Sequence, residues 1–334
     1  MDDGGSSEPT IYDVAKLAGV APSTVSRALS KPGRVSFRTA ERVRRIATEV
    51  GYRSGRMELP VSTRGTGVLA FVVADIANPV FVGMIRGAER EATDHGLTLA
   101  IVETQESGDG EERAIARLAS TVDGFVLASS RLSDQQIRAL AKRKPVVVLN
   151  RTVPEVPSVV SDNVRAIKKA TEHLIGLRHA TICYLAGPEA SFANGMRWRG
   201  LREAGMELDL HTRRIGPFLP TIRGGTDAAQ RWLQRPSTAV IAYNDLMAIG
   251  FMQAVSAAGR RVPADVSVIG FDNIVDANLV EPGLTTIAAP LVSLGTTAVA
   301  RLVGRPGLSR EPLEPILLPT RLVLRGSTGP RSRQ

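Results

Sequence analysis

Two groups of side chains in this chain are placed to do chemistry. The first is a cluster of short polar and basic residues, Ser23, Thr24, Ser26 and Arg27, on one helical stretch. Their short side chains would let a helix approach closely enough to enter a groove ~12 Å wide, the width of the DNA major groove. The second is a set of carboxylates and amides, Asp75, Asn150, Asn244, Asp245 and Asp272, each at the end of an apolar, strand-like run. In open α/β sheets, ligands sit at the carboxyl ends of the strands. Neither group is a recognisable catalytic set. No Ser/His/Asp or Cys/His arrangement stands out, no GxGxxG follows a strand, and there is no Walker A sequence, so no enzyme activity and no cofactor is expected. His95, His173, His179 and His211 are scattered, and the pair His173 and His179 does not share a helical face, so no metal site is expected. The single cysteine, Cys183, lies in an apolar run and rules out a disulfide framework.

The first group is positioned by residues 10–30, TIYDVAKLAGVAPSTVSRALS. Thr10 can cap a helix, with Asp13 three residues on as a variant of the capping box. Ile11, Val14, Ala15 and Ala18 form one apolar stripe. Gly19 then suits the left-handed residue that ends a helix, and Val20 plugs the corner. Pro22 suits the first position of a second helix, because its fixed φ is helical and its missing N–H would be unpaired there anyway. Val25 and Leu29 would face back toward the first helix. The pattern is a helix-turn-helix. An ordinary helical hairpin is the alternative, but it has no reason to keep its outer face so short-chained. Ser36 would cap a third helix, FRTAERVRRIATEVGY, with Ala40, Val43, Ile46, Ala47 and Val50 inside. Arg38, Arg42 and Arg45 on its outer side would reach phosphates or form a solvated face.

Charge supports a polyanionic partner at this end. The chain of 334 residues carries a net +9, and residues 10–56 hold ten basic and three acidic side chains. Residues 1–9 are acidic and polar, unlike a signal peptide, and no run of 18 apolar residues exists. A cytoplasmic protein without membrane contact is expected.

Residues 53–66, RSGRMELPVSTRGT, have the composition of a linker. From Gly67 onward strand-like runs alternate with helical patterns: VLAFVVA, PVFVGMIRGAEREATDHG, LTLAIVE, EERAIARLAS, VDGFVLAS, DQQIRALAKR and PVVVLN. A second series starts near Asp162 and runs through ATICYLAG, TAVIAYN and VSVIGFD. Alternation of this kind predicts an α/β fold with parallel sheets, and two series predict two lobes with a cleft between them.

Taken together, TIYDVAKLAGVAPSTVSRAL, DIANPVF, HLIGLRHATICYLAGP, NDLMAIGFMQAV, RVPADVSVIGFDN and PGLTTI resemble, in order, the LacI/GalR family of bacterial transcription regulators, over roughly residues 10–326. The resemblance implies an N-terminal three-helix helix-turn-helix headpiece (10–53), a hinge (54–66) and a two-lobed periplasmic-binding-protein-like core (67–326), between disordered tails at 1–9 and 327–334. Lobe 1 would span about 67–161 and 290–318, and lobe 2 about 162–289 and 319–326. It also implies a homodimer on a pseudopalindromic DNA operator, most often as a repressor, with a small sugar-like effector in the cleft. By motif position Pro22, Ser23 and Arg27 would read bases, while Thr10, Ser26 and Arg34 would help hold the DNA backbone. Asn150, Arg197, Asn244 and Asp272 match effector contacts, joined by Asp75 at a strand end. Phe81 matches a loop that closes on the ligand. The physics suits these roles: Arg27 can donate twice to guanine O6 and N7, and Pro22 can offer only an apolar contact. Amides, carboxylates and an arginine can pair the donors and acceptors of a polyol. Each also has a plainer use. Asp272 would cap the next helix, Arg197 would join a salt bridge within a lobe, and Phe81 would be core.

Three departures from the family pattern stand out. The hinge reads SGRMELPV, with Ser54-Gly55 where Pro-Asn is usual, Pro60 where a helix should continue at a cost of ~3 kcal/mol, and Val61 in place of the leucine that wedges into the minor groove. In GPFLPTIRGG, Pro220 stands where some sugar-binding members place an aromatic platform, with Phe218 nearby as a substitute. Ala21 replaces a serine, removing a side-chain cap typically worth ~1 kcal/mol. A constitutive, architectural DNA-binder whose core serves only for dimerisation is the alternative function.

Overall fold

The computed structural model describes residues 10–30, 35, 37–49, 65–304 and 314–331. The chain divides into two compact units, residues 1–63 and 64–334.

In the first unit the described helices are α1 (Ile11–Ala18), α2 (Pro22–Ser30) and α3 (Phe37–Glu49). The Asp13 carboxylate accepts from the Thr10 amide at 2.7 Å and from its hydroxyl at 2.6 Å, so the start of α1 is closed by its own first turn. Gly19 ends α1 at φ +62°, where a side chain would be strained. The Val20 amide then donates back to the Ala15 carbonyl at 3.1 Å. Val14, Ala15, Ala18, Val25, Ala28, Val43 and Ala47 make one buried cluster, with Ile11, Val20, Val35 and Ile46 packed on it. Ser36 and Val50 lie outside the described residues, as does the side chain of Leu29.

The second unit follows the strand–helix alternation. In chain order it comprises β1 (Val68–Val73), α4 (Pro79–Asp94), β2 (Thr98–Glu103), α5 (Gly108–Leu118), β3 (Gly124–Ala128), α6 (Asp134–Ala141), β4 (Val146–Leu149) and β5 (Ser158–Ser161). Then come α7 (Asn163–Gly176), β6 (Thr181–Leu185), α8 (Phe192–Glu207), β7 (His211–Ile215), α9 (Ile222–Leu233), β8 (Ala239–Ala242) and α10 (Asp245–Ala257). The unit closes with β9 (Ser267–Asp272), a 3-10 turn at Val275–Asn278, β10 (Thr285–Ala288), α11 (Leu291–Val303), β11 (Ile316–Leu318) and β12 (Arg321–Val323).

These strands form two sheets, ordered β11-β5-β4-β3-β1-β2 and β12-β10-β9-β8-β6-β7. Among the described residues the named strands pair in parallel, except β10 with β12. The inner strands of each sheet are covered by helices on both faces, which is why they read as unbroken apolar runs. Each sheet defines a lobe. Where the chain crosses between lobes, the Asp162 amide donates to the Leu318 carbonyl at 3.0 Å and the Thr320 hydroxyl to the Asp162 carbonyl at 3.3 Å. In the first lobe α4 lies against α11 at glycine distance: a Cβ on Gly87 would sit 2.0 Å from the Val292 carbonyl oxygen.

The segment 327–331, expected as part of a disordered tail, is instead built into the second lobe. Ser327 is buried; its hydroxyl accepts the Thr285 amide at 2.8 Å and donates to the Val268 carbonyl at 2.6 Å. Its own amide and carbonyl pair with Gly283 and Val268. The Arg331 amide donates to the Leu177 carbonyl at 2.9 Å. The start of β9 and the approach to β10 leave backbone groups that these residues satisfy. At the other end, the Asp123 carboxylate accepts the Thr66 amide at 2.6 Å and the Gly67 amide at 2.8 Å, tying the start of the core to the loop before β3.

Candidate functional site

In the first unit, Thr10 is exposed and Ser23 is exposed on the first turn of α2, beside half-buried Pro22 and Thr24. Ser26 and Arg27 fall one turn further along α2; their side chains lie outside the described residues, as do Arg34 and the hinge with Ser54, Gly55, Pro60 and Val61. The sequence reading passed over two large side chains here. Tyr12 is 70% and Leu17 60% exposed on α1, outside the stripe that packs the core. Their positions between the buried ones, off the i, i+3, i+4 rows, are the signal that marks them.

In the second unit the polar residues at strand ends do separate jobs. Arg197, on α8, is only 7% exposed. One guanidinium nitrogen donates to the Tyr243 carbonyl and another meets Asp272 Oδ1 at 3.4 Å. The guanidinium lies 3.4 Å from the centroid of the Phe271 ring and 5.0 Å from that of Tyr243, so it packs against both rings. Its Nε has no hydrogen-bond partner among the described residues. Asp272 is 7% exposed, at φ +109°. Burial pushes its carboxyl up to about 6, against the pull of Arg197. It makes no cap on the following 3-10 turn, whose N-cap is Ile274; it is the acid of a buried pair within the second lobe.

Asn244 is buried and caps α10: its Oδ1 accepts the Met247 amide at 2.9 Å, and its Nδ2 donates to the Pro220 carbonyl at 3.0 Å. Among the described residues its second amide N–H has no partner. Phe218, beside Pro220, is half-buried and packs on the core cluster of the second lobe. On the first lobe, Asp75 accepts the Ala77 amide at 2.9 Å, and Asn150 follows β4 at φ +58°, its amide donating to Val159. The structure brings Arg197, Asp272 and the backbone beside Asn244 into contact, and shows no hydrogen bond from Asp75 or Asn150 to them. Phe81, expected on a closing loop, sits in the first turn of α4, 4% exposed, within the first-lobe core. The reason is local: Asn78 caps that helix by accepting the Val80 amide, and Pro79 opens it, so the helix begins before Phe81.

Sequence reasoning missed Tyr243 and Phe271, the two rings on Arg197. Each directly precedes a polar strand-end residue, in AYN and GFD, which was the available signal. Among the described residues no group of three or more His, Cys, Asp or Glu could hold a metal, and no helix is long and apolar enough to cross a membrane. Cys183 is buried, and burial pushes its thiol up.

A helix-turn-helix unit followed by two parallel-sheet lobes defines a regulatory protein with a periplasmic-binding-protein-like core. Residues 10–54 match the family described as bacterial regulatory proteins, lacI family, and residues 66–318 match periplasmic binding proteins and sugar binding domain of LacI family. The HTH-type transcriptional repressor CytR of Escherichia coli strain K12 is 35% identical over 329 residues, covering 96% of each chain. Among solved structures, a complex of the transcriptional regulator CelR with cellobiose aligns with a TM-score of 0.71 at 31% identity, over 96% of this chain and 99% of that one. The lac repressor dimer bound to operator and the anti-inducer ONPF aligns with a TM-score of 0.72 at 26% identity, over 97% and 100%. The chain belongs to the LacI family, and like these relatives it is a DNA-binding transcriptional regulator, not an enzyme.

Proposed function

We propose that this protein is a cytoplasmic repressor that binds a pseudopalindromic operator as a homodimer, and that a small, hydroxyl-rich effector between the lobes changes its DNA affinity. The observation that carries the effector half is Arg197: a buried guanidinium, fixed by two rings and an acid, with one donor left unmatched. A buried unpaired N–H costs ~1–3 kcal/mol, so a rearrangement on ligand binding that pairs it would be favoured. Asp272 supplies an acceptor beside it and Asn244 one free N–H, while Asp75 and Asn150 would complete the contacts from the first lobe. That mixture suits a sugar or sugar derivative. Support comes from the sugar-binding family match and from the cellobiose bound by CelR. Phe81 takes a supporting place beneath the first-lobe contacts.

The DNA half rests on α2. Pro22, Ser23 and Arg27 would read base edges, Thr10, Ser26 and Arg34 would hold phosphates, and Val61 would meet the minor groove. The operator in the lac repressor complex supports this reading. Thermal-shift screening of the full chain against sugars, sugar phosphates and nucleosides tests the proposal, followed by operator binding with each hit. A compound that stabilises the chain and shifts operator affinity is the expected result. A chain that binds its operator but responds to none of them would point to the architectural DNA-binder instead.

A further inference from the structure

Asp245 opens α10, directly after Asn244, and is completely buried. Its Oδ1 lies 2.5 Å from the Thr286 hydroxyl on β10, and its Oδ2 accepts the Ile274 amide at 2.9 Å. Ile274 is two residues past Asp272, and the bend between them is unusual: Asp272 and Asn273 both have positive φ, +109° and +58°. Non-glycine residues avoid that region unless their surroundings hold them there. Asp245 therefore connects three elements, α10, β10 and the bend that carries Asp272. The space around it is fixed as well. A Cβ on Gly270, in β9, would lie 2.2 Å from Asp245 Oδ1.

We propose that Asp245 is a positioning residue of the effector site: by tying β10 to the bend after β9, it holds Asp272 against Arg197 and so sets the acidic half of the ligand contact. This rests on the reading of Arg197 and Asp272 as effector residues given above. Asp245 acts through Asp272 and not by touching the ligand.

The charges around Asp245 explain how it does this. Asp272 stands nearest on β9. Arg197, on α8, is already paired with Asp272. Arg325 is committed to Asn273 Oδ1 and the Leu284 carbonyl, each at 2.7 Å, and so braces the same bend from the other side. Asp276 on the 3-10 turn is exposed. The positive end of α10 favours a charged Asp245, but burial and the nearby Asp272 outweigh it and push its carboxyl up to about 8. At neutral pH Asp245 is then an uncharged acid. The Thr286 hydroxyl and the Ile274 amide both donate to its oxygens, and an asparagine of the same shape would keep the contact to Ile274 through its oxygen while its amide meets the Thr286 hydroxyl.

The test uses the full chain and needs no ligand. The coupling between Arg197 and Asp272 is measured by a double-mutant cycle on the unfolding equilibrium, in wild type, Asp245→Asn, Asp245→Leu and Thr286→Val. Asparagine should keep the coupling constant within threefold of wild type, leucine should lower it at least tenfold, and Thr286→Val should lower it more than threefold. If leucine does not fold, the valine variant decides. A coupling that stays within threefold of wild type in the leucine or valine variant overturns the proposal, as does an equal loss in asparagine and leucine. The second readout is pH. A carboxyl raised in the folded state lends stability that is lost as pH rises from its unfolded value through about 8. Between pH 6.5 and 8 wild type should therefore lose stability relative to Asp245→Asn. Such a loss supports the tether by showing that Asp245 is held, buried, between β10 and the bend; the coupling measurement alone overturns the proposal. A screen that finds no effector would count against the cleft reading alone, since neither readout involves one.

Discussion

Removing Arg197 should be far more damaging than removing an ordinary polar residue, and the damage should depend on Asp272. Arg197→Ala strips the cation from a carboxylate that is 7% exposed. Breaking a buried pair on one side typically costs ~3–5 kcal/mol, because the remaining charge is left without compensation. The guanidinium also leaves the face of Phe271, 3.4 Å away, and a desolvated contact of this kind is worth ~2 kcal/mol. Asp272 has a way out. Its carboxyl already titrates at about 6, and without Arg197 it rises further, so the variant can take up a proton at ~1.4 kcal/mol per pH unit. The loss should therefore be about 3–5 kcal/mol at pH 7.5 and visibly smaller at pH 5.5. At about 2–4 °C per kcal/mol for a domain of this size, the core transition should fall by about 6–20 °C at the higher pH. Asp272→Asn in the same background should restore part of that, because it removes the orphaned charge. Calorimetry of the four proteins at both pH values is the assay. The reasoning is refuted if the two single changes add within ~0.5 kcal/mol, or if Arg197→Ala melts no lower at pH 7.5 than at pH 5.5 relative to wild type.

Other expectations concern the DNA end and the packing. Arg27→Ala should cost ~1–3 kcal/mol in operator binding and relax specificity at one position per half-site; a footprint identical to wild type would remove Arg27 from the reading set. With Pro60 and Val61 in the hinge, operator affinity should lean on headpiece charge and fall steeply with salt. A shallow salt slope on a sharply kinked operator would contradict this. Gly87→Ala should destabilise the first lobe by ~1–3 kcal/mol, because its Cβ would meet the Val292 carbonyl at 2.0 Å and force α4 away from α11; an unchanged melting temperature would show that the two helices are not held that closely.

Much of this fold is legible because its signals are local. Thr10, Gly19 and Pro22 punctuate the first two helices, and β1, β3, β4, β6, β8 and β9 are apolar runs because both their faces are covered. What escaped notice depends on partners distant in sequence. β7, HTRRI, is a polar edge strand recognisable chiefly by its pairing with β6. β11 and β12 are three residues each and exist through their neighbours. Residues 327–331 have a tail's composition, yet they fill backbone positions beside β9 and β10. The same holds within the site. Asp272 and Arg197 could be picked out by position, but the rings of Tyr243 and Phe271 against Arg197 come only from the folded chain. Asp245 was visible as one more polar residue after a strand. Its tether to Thr286, forty-one residues later, was not.

The central claim is that a ligand at Arg197 and Asp272 controls how tightly α2 holds DNA. The most direct measurement is operator binding by fluorescence anisotropy, with and without the compound that most stabilises the chain, for wild type and Arg197→Ala. Wild-type affinity should change at least tenfold on adding the compound, and the variant, still able to bind operator, should show little or no change. An equal response in both proteins would place the controlling ligand elsewhere, and no response in wild type would separate the two halves of the molecule.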